Sequence, residues 1–315
     1  MSWNAWMIRG ALGLALAMIA LTPWMAPGRT AEAATLTVTK TADTNDGTCA
    51  ADCSLREAIN AASAGDTVSV PAGSYGLTIA GASEDAGATG DLDVAVNLTI
   101  EGAGSGATTI DANDLDRVLD VASGVNLSLQ DLTIRDGDAP GFEEGAGIRS
   151  SSGTLTLNDV TVTSSATSGG YGGGIYAGGP LVMTNSSVTG NSGDAGAGIV
   201  AFDLDMSNSH VNGNVGTDQG AGIWACCGNA TFTIADSTVD DNESGDQGGG
   251  IFFCCGALQL TLTNSSVSGN SAQDQGGGIF FCCGDEVVST TILISDSTIN
   301  NNTSTGAGGG LYSCC

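Results

Sequence analysis

The side chains with the most evident chemistry in this 315-residue chain are its 10 cysteines. Eight of them form vicinal pairs: Cys226-Cys227, Cys254-Cys255, Cys282-Cys283 and Cys314-Cys315. Thiols can bridge as disulfides, stay reduced and packed, or hold a soft metal ion. Cys49 and Cys53 complete the set and are spaced for a short-loop disulfide. A C-x3-C pair with no further His or Cys at zinc spacing does not make a zinc site. A second group is acidic. Glu143, Asp194, Asp218, Asp246 and Asp274 each stand five residues before a recurring aliphatic residue. If stacked, such carboxylates must splay into water or share a divalent cation through oxygen ligands. Ca2+ is therefore the candidate ion and these five are the candidate ligands, although the Ca2+-binding nonapeptide of other β-solenoids is absent. No other cofactor is indicated. Acid–base chemistry finds little to work with. Asp240-Asp241 runs directly into Asn242, which suits a turn, and His210, the sole His, sits beside Val211 where neighbouring repeats carry Ser or Thr. No residue is assigned a catalytic role.

Positions that recur need elements that recur. A Gly-rich segment ending in an aliphatic residue appears at Ile148, Ile175, Ile199, Ile223, Ile251, Ile279 and Leu311, in steps of 27, 24, 24, 28, 28 and 32. Between these anchors lies an alternating apolar pair, a polar turn and a further aliphatic residue five positions on. Examples are Leu181/Met183 then Val188, and Leu260/Leu262 then Val267. Alternation with period two over so few residues means strand. Each unit is too small to bury its apolar face alone, but stacked units share one continuous core. The expected architecture is all-β: a right-handed parallel β-helix of roughly ten coils. The leucine-rich alternative lacks its consensus. Stacking puts Asn191, Asn214, Asn242, Asn270 and Asn302 in one column, where amides can bond from coil to coil as a ladder. It also puts the vicinal cysteines in two columns, one facing in and one out, within reach of coil-to-coil disulfides.

Composition narrows the partners. There are 34 acids against 7 Lys and Arg, for a net charge of -27, and 49 glycines. A nucleic-acid surface needs clustered cations, so nucleic acid is excluded as a partner. Residues 150–315 hold 14 acids and no Lys or Arg. A polyuronate would be repelled from that surface, which argues against a lyase acting on acidic sugars. Residues 1–33 read as a signal peptide: Arg9, an apolar run from Ala11 to Leu21, then Ala31-Glu32-Ala33 as the cleavage site. No later apolar run reaches membrane-spanning length. The mature chain is expected to be exported, extracellular or at the cell surface, with an oxidising environment that favours disulfides.

Residues 34–75 are expected to form an N-terminal cap ahead of repeats spanning 76–315. Ser54 and Glu57 make an S-x-x-E capping box, and Leu55, Ala58, Ile59 and Ala62 line one helical face. A solenoid exposes its core at each end, so a lid is needed there. The run Cys53-Ser54-Leu55-Arg56-Glu57-Ala58 resembles the motif that names the CSLREA family of exported bacterial β-helix proteins. Pro71-Ala72-Gly73-Ser74-Tyr75 and Gly90-Asp91-Leu92-Asp93 are similar to that family too. The Gly-rich repeats resemble those of polymorphic outer membrane proteins, with Val or Ile where that family has Phe (Val188, Val211, Val239, Val267, Ile299). The resemblance implies a surface-exposed passenger with a structural or adhesin-like role. Its partner would be a glycan or protein of a host or neighbouring cell, and its site could be the outer membrane. A carbohydrate-active β-helix enzyme, lyase or glycosidase, on a neutral glycan is the second expectation. The last repeat stops at Cys315 with no lid, so the chain is expected to be truncated there.

Overall fold

A computed structural model describes residues 32–82, 84–225, 229–253, 258–281 and 290–314. Contacts divide the chain into a unit of residues 1–32, of which only Glu32 is described, and a second unit from Ala33 to Cys315.

The second unit is a parallel β-solenoid with one short helix among the described residues. Nine anchor strands stack in register, so that Leu92, Leu119, Ile148, Ile175, Ile199, Ile223, Ile251, Ile279 and Leu311 form one column. Twenty-four strands join in a sheet that follows the coils, and 7 two-residue strands, from Asp138–Ala139 to Thr303–Ser304, form a second sheet. Every pairing is parallel, as a coil that always winds one way requires. The inward residues are aliphatic and close to fully buried, Ile148, Leu157, Val162, Met183 and Ile234 among them. At about 25 cal/mol per Å² of apolar area, this shared core is the main stabilising term of a chain with so few ion pairs.

Three bends close each coil, and left-handed backbone recurs at all three. The first Gly of each Gly-rich segment has positive φ, from +58° at Gly196 to +72° at Gly308. The turn after the alternating pair places Asp131, Asp159, Asn185, Asn208, Asp236, Asn264 or Asp296 at φ between 48° and 56°. Asn and Asp tolerate that region because their short polar chains bond locally. From Asn185 onward the residue behind each is a serine, and these serines form a ladder; Leu132 and Val160 hold that place in the two coils before. Backbone N–H groups of Ser186, Ser209, Ser237 and Ser265 donate to the Oγ of Ser209, Ser237, Ser265 and Ser297 at 3.0–3.1 Å.

The described helix, α1, spans Leu55–Ala61. Ser54 Oγ accepts from Glu57 N at 3.1 Å, and Glu57 Oε2 accepts from Ser54 N at 2.8 Å, which completes the capping box. Burial pushes the Glu57 carboxyl up. The N–H groups of Ser54 and Asp46, the Thr44 hydroxyl and Lys40 outweigh it and hold the group down at about 2. Leu55, Ala58 and Ile59 join the core, and Cys49 is disulfide-bonded to Cys53 just ahead of the helix.

Candidate functional site

Along each anchor strand the middle residue points outward. In register these residues form the column Asp93, Asp120, Arg149, Tyr176, Val200, Trp224, Phe252, Phe280 and Tyr312. One end is ionic and the other aromatic. Phe252 stacks on Phe280 with centroids 5.0 Å apart and an angle of 7°, and Phe280 on Tyr312 at 5.5 Å. Tyr171 packs against Trp224 at 5.0 Å. Such stacks add to the area they bury. Phe252 and Phe280 are buried although they face away from the core.

The ionic end opens into a cavity of about 270 Å³, lined by Asp85, Asp93, Asp120, Ser123, Arg149 and Ser151 together with Val94 and alanines. A shallower cavity of about 420 Å³ shares Asp85, Asp120 and Arg149 with it and adds Arg117, Glu143, Glu144 and Phe142. Phe142 is 87 % exposed. Arg149 Nη1 donates to both Asp120 oxygens at 3.0 and 2.8 Å. Arg117 reaches Asp91 Oδ2 at 3.2 Å and also pairs with Glu143. Asp93 Oδ2 accepts from Gly87 N at 2.7 Å.

Protonation is uneven here. Burial first, then the charges of Asp116 and Asp93, push the Asp91 carboxyl up to about 8, against the pull of Arg117. Burial lifts Asp93 to about 6; the Gly87 N–H opposes it, while Glu84, Asp120 and Asp85 add to it. Carboxylate oxygens of Asp85, Asp93 and Asp120 lie within 4.8 Å of one another. Oxygen donors so placed suit a hard cation such as Ca2+, but Asp120 already meets a guanidinium. Hydroxyl groups are better matched, since they accept from Arg149 and donate to the carboxylates.

The acidic residues singled out by their spacing are elsewhere, with one exception. Asp194, Asp218, Asp246 and Asp274 do stack, each backbone N–H donating to the carbonyl of the one before at 2.8–3.2 Å. The carboxylates of Asp194, Asp246 and Asp274 meet neighbouring donors. Thr217 Oγ1 bonds Asp194 at 2.6 Å, Gln219 Nε2 bonds Asp246 at 3.4 Å, and Gln247 Nε2 bonds Asp274 at 3.2 Å. Burial first, then Asp246 and Asp194, raise the Asp218 carboxyl. Glu143 is not the next member of that stack. Gly170 fills the coil between, its carbonyl accepting from Asp194 N at 3.0 Å, and Glu143 lines the cleft instead.

The asparagine column is buried at Asn191, Asn214, Asn242 and Asn270. From each of these, backbone N and Nδ2 both donate to Oδ1 of the next, ending on Asn302, at 2.9–3.0 Å. The left-handed residue of this bend precedes the ladder asparagine: Gly190, Gly213, Asp241, Gly269 and Asn301. Cys226, Cys227, Cys254, Cys255, Cys282, Cys283 and Cys315 lie outside the described residues. Cys314 carries a free, exposed thiol, its Sγ 3.5 Å from the Phe281 carbonyl of the neighbouring coil, while the cysteines of that coil to which it was expected to bridge are among those outside the described residues. His210 is exposed and Nδ1 lies 3.0 Å from Thr238 Oγ1.

Spacing alone missed the cleft because its residues come from the irregular early coils. One signal was present. The residue after each anchor aliphatic changes from Asp93 and Asp120 through Arg149 to Tyr, Trp and Phe, and tracking that one position down the repeats exposes the column. A sequence model of the right-handed beta helix region matches residues 98–267, more than half of the chain. No curated protein and no solved structure was found to match.

Proposed function

We propose that this chain, which belongs to the right-handed beta helix family, is an exported surface rod that binds a neutral glycan in the cleft around Asp93, Asp120 and Arg149. The observation that carries this reading is the cleft lining. Acceptor carboxylates and a donor guanidinium alternate within one cavity beside the exposed ring of Phe142. A sugar presents hydroxyls that donate and accept, and an apolar ring face. Polyanions fit poorly. All five cations beyond the leader lie within 4.0 Å of a carboxylate, so none is left to hold one. The leader-like residues 1–33 and the resemblance to CSLREA and polymorphic outer membrane repeats support export and an adhesin-like role. The test is a glycan array probed with the full mature chain, followed by calorimetry with Asp120→Asn and Phe142→Ala. Binding to neutral oligosaccharides that both substitutions weaken supports the reading; an empty array sinks it.

One observation favours hydrolysis as a second reading. Asp93 is lifted to about 6 beside Asp120, which is gripped by Arg149, and carboxyls in contrasting environments are how acid and base roles are divided. Release of new reducing ends from a bound oligosaccharide, lost in Asp93→Asn, separates turnover from binding alone.

A further inference from the structure

One wall of the cleft, residues 84–91, belongs to no strand and is held by the cap. Arg56 is 1 % exposed, yet it is not used to cover the core. Its Nη1 donates to Asp91 O and its Nη2 to Gly90 O, both at 2.7 Å, while Nε bonds Asp43 Oδ1 at 2.8 Å. Asp43 Oδ2 in turn accepts from Thr78 N at 2.8 Å and Ile79 N at 3.1 Å. Four residues on, Asn60 lies on the same face of α1. Its Nδ2 donates to Gly87 O at 2.9 Å. The N–H of Gly87 is the group that bonds Asp93 Oδ2 at 2.7 Å. One residue, Gly87, thus joins the cap helix to a cleft carboxylate. Gly87 has φ +65°, and a Cβ there would overlap Asn60 Oδ1, so this join is closed to other residues. Glu84 folds the same segment by accepting from Ala86 N at 3.0 Å and Thr89 N at 2.6 Å.

We propose that the cap helix builds the cleft, with Arg56 and Asn60 as positioning residues that place Asp93 and Asp85 through the segment 84–91. A lid over the core needs only Leu55, Ala58 and Ile59. A buried guanidinium spent on two main-chain carbonyls is costly for that purpose and is accounted for by what it holds. The inference rests on the cleft being the ligand site, but its test needs no ligand.

The test is the titration of the Asp93 side-chain carboxyl carbon by NMR in the full mature chain, comparing wild type with Asn60→Ala, Arg56→Lys and Arg56→Met. Asn60 is exposed, so Asn60→Ala spares the core. Loosening the segment lets water reach Asp93 and takes Glu84 and Asp85 away from it, which lowers its midpoint. It also withdraws the Gly87 N–H, which raises the midpoint, but burial is the largest cause of the shift at Asp93 and sets the net direction. Its midpoint is expected to fall by about 1 from near 6 in Asn60→Ala and further in Arg56→Met, with Arg56→Lys in between. Asp218, on a distant coil, should titrate as in wild type. Folded Asn60→Ala and Arg56→Lys proteins with an unmoved Asp93 midpoint would overturn the proposal and leave α1 a lid. If Arg56→Met fails to fold, those two variants still decide. A moved midpoint with an empty glycan array would sink the glycan reading and leave this one standing.

Discussion

At the scale of single residues, the ladders show how a polar side chain can be buried without loss. Asn242 is 1 % exposed, yet Nδ2 donates to Val211 O at 2.9 Å and to Asn270 Oδ1 at 2.9 Å, while Oδ1 accepts from Asn214. Asn242→Ala removes one amide and leaves a carbonyl and two donors of neighbouring coils unpaired. We expect it to cost about 2–4 kcal/mol, since each orphaned buried group costs roughly 1–3 kcal/mol. Asn302→Ala, at a more exposed position, should cost less. Chemical denaturation of the two variants measures the difference, and equal losses would mean that burial does not set the value of a rung. The ladder positions were legible in the sequence because Asn recurs at one offset from an aliphatic residue. The serine ladder was not, because Ser is common at many other offsets here and only the register singles out Ser186, Ser209, Ser237 and Ser265.

At the scale of elements, the anchor strand is an inward aliphatic residue, an outward side chain and a second inward residue. Both the strand and its stacking were legible from period-two alternation and the Gly-rich spacing. The fate of the outward side chain was not, because alternation predicts exposure for Phe252 and Phe280 and they are buried. A second apolar layer therefore lies outside the sheet, and Gly248 allows it. A Cβ at Gly248, whose φ is +64°, would stand 2.7 Å from Phe252 Cβ. Gly248→Ala should cost at least about 1–2 kcal/mol for the left-handed backbone alone, and more from that contact. Phe252→Ala should cost about 3–5 kcal/mol, the range for a buried ring, whereas a solvent-facing Phe would cost almost nothing. Urea midpoints of these variants check both values, and a Phe252→Ala protein as stable as wild type would show that the outer layer does not contribute.

At the scale of the whole molecule, stability is set by acids far more than by bases, and its pH dependence follows from their placement. Asp91 is lifted to about 8 and Asp93 to about 6 from an ordinary value of 3.8. A raised carboxyl favours the folded state fully below its unfolded value, and that contribution is lost as pH climbs through the folded value. Glu57 lies at about 2 against 4.5, so its contribution is present above 4.5 and lost as pH falls toward 2. The two windows leave a maximum near about pH 4 to 5, with a long decline through about pH 8. This decline belongs to the early coils, where Asp91, Asp116, Asp120 and Glu143 crowd around Arg117, more than to the later Asp stack, where Asp194, Asp246 and Asp274 find Thr and Gln donors. Asp91→Asn keeps the shape and cannot ionise. It should match wild type below about pH 3.8 and exceed it increasingly from there toward pH 8, flattening the alkaline limb. Asp246→Asn should leave that limb in place. Urea denaturation across this range measures both, and a wild-type chain that grows more stable from about pH 5 to 8 would show that the buried acids of the early coils ionise without cost.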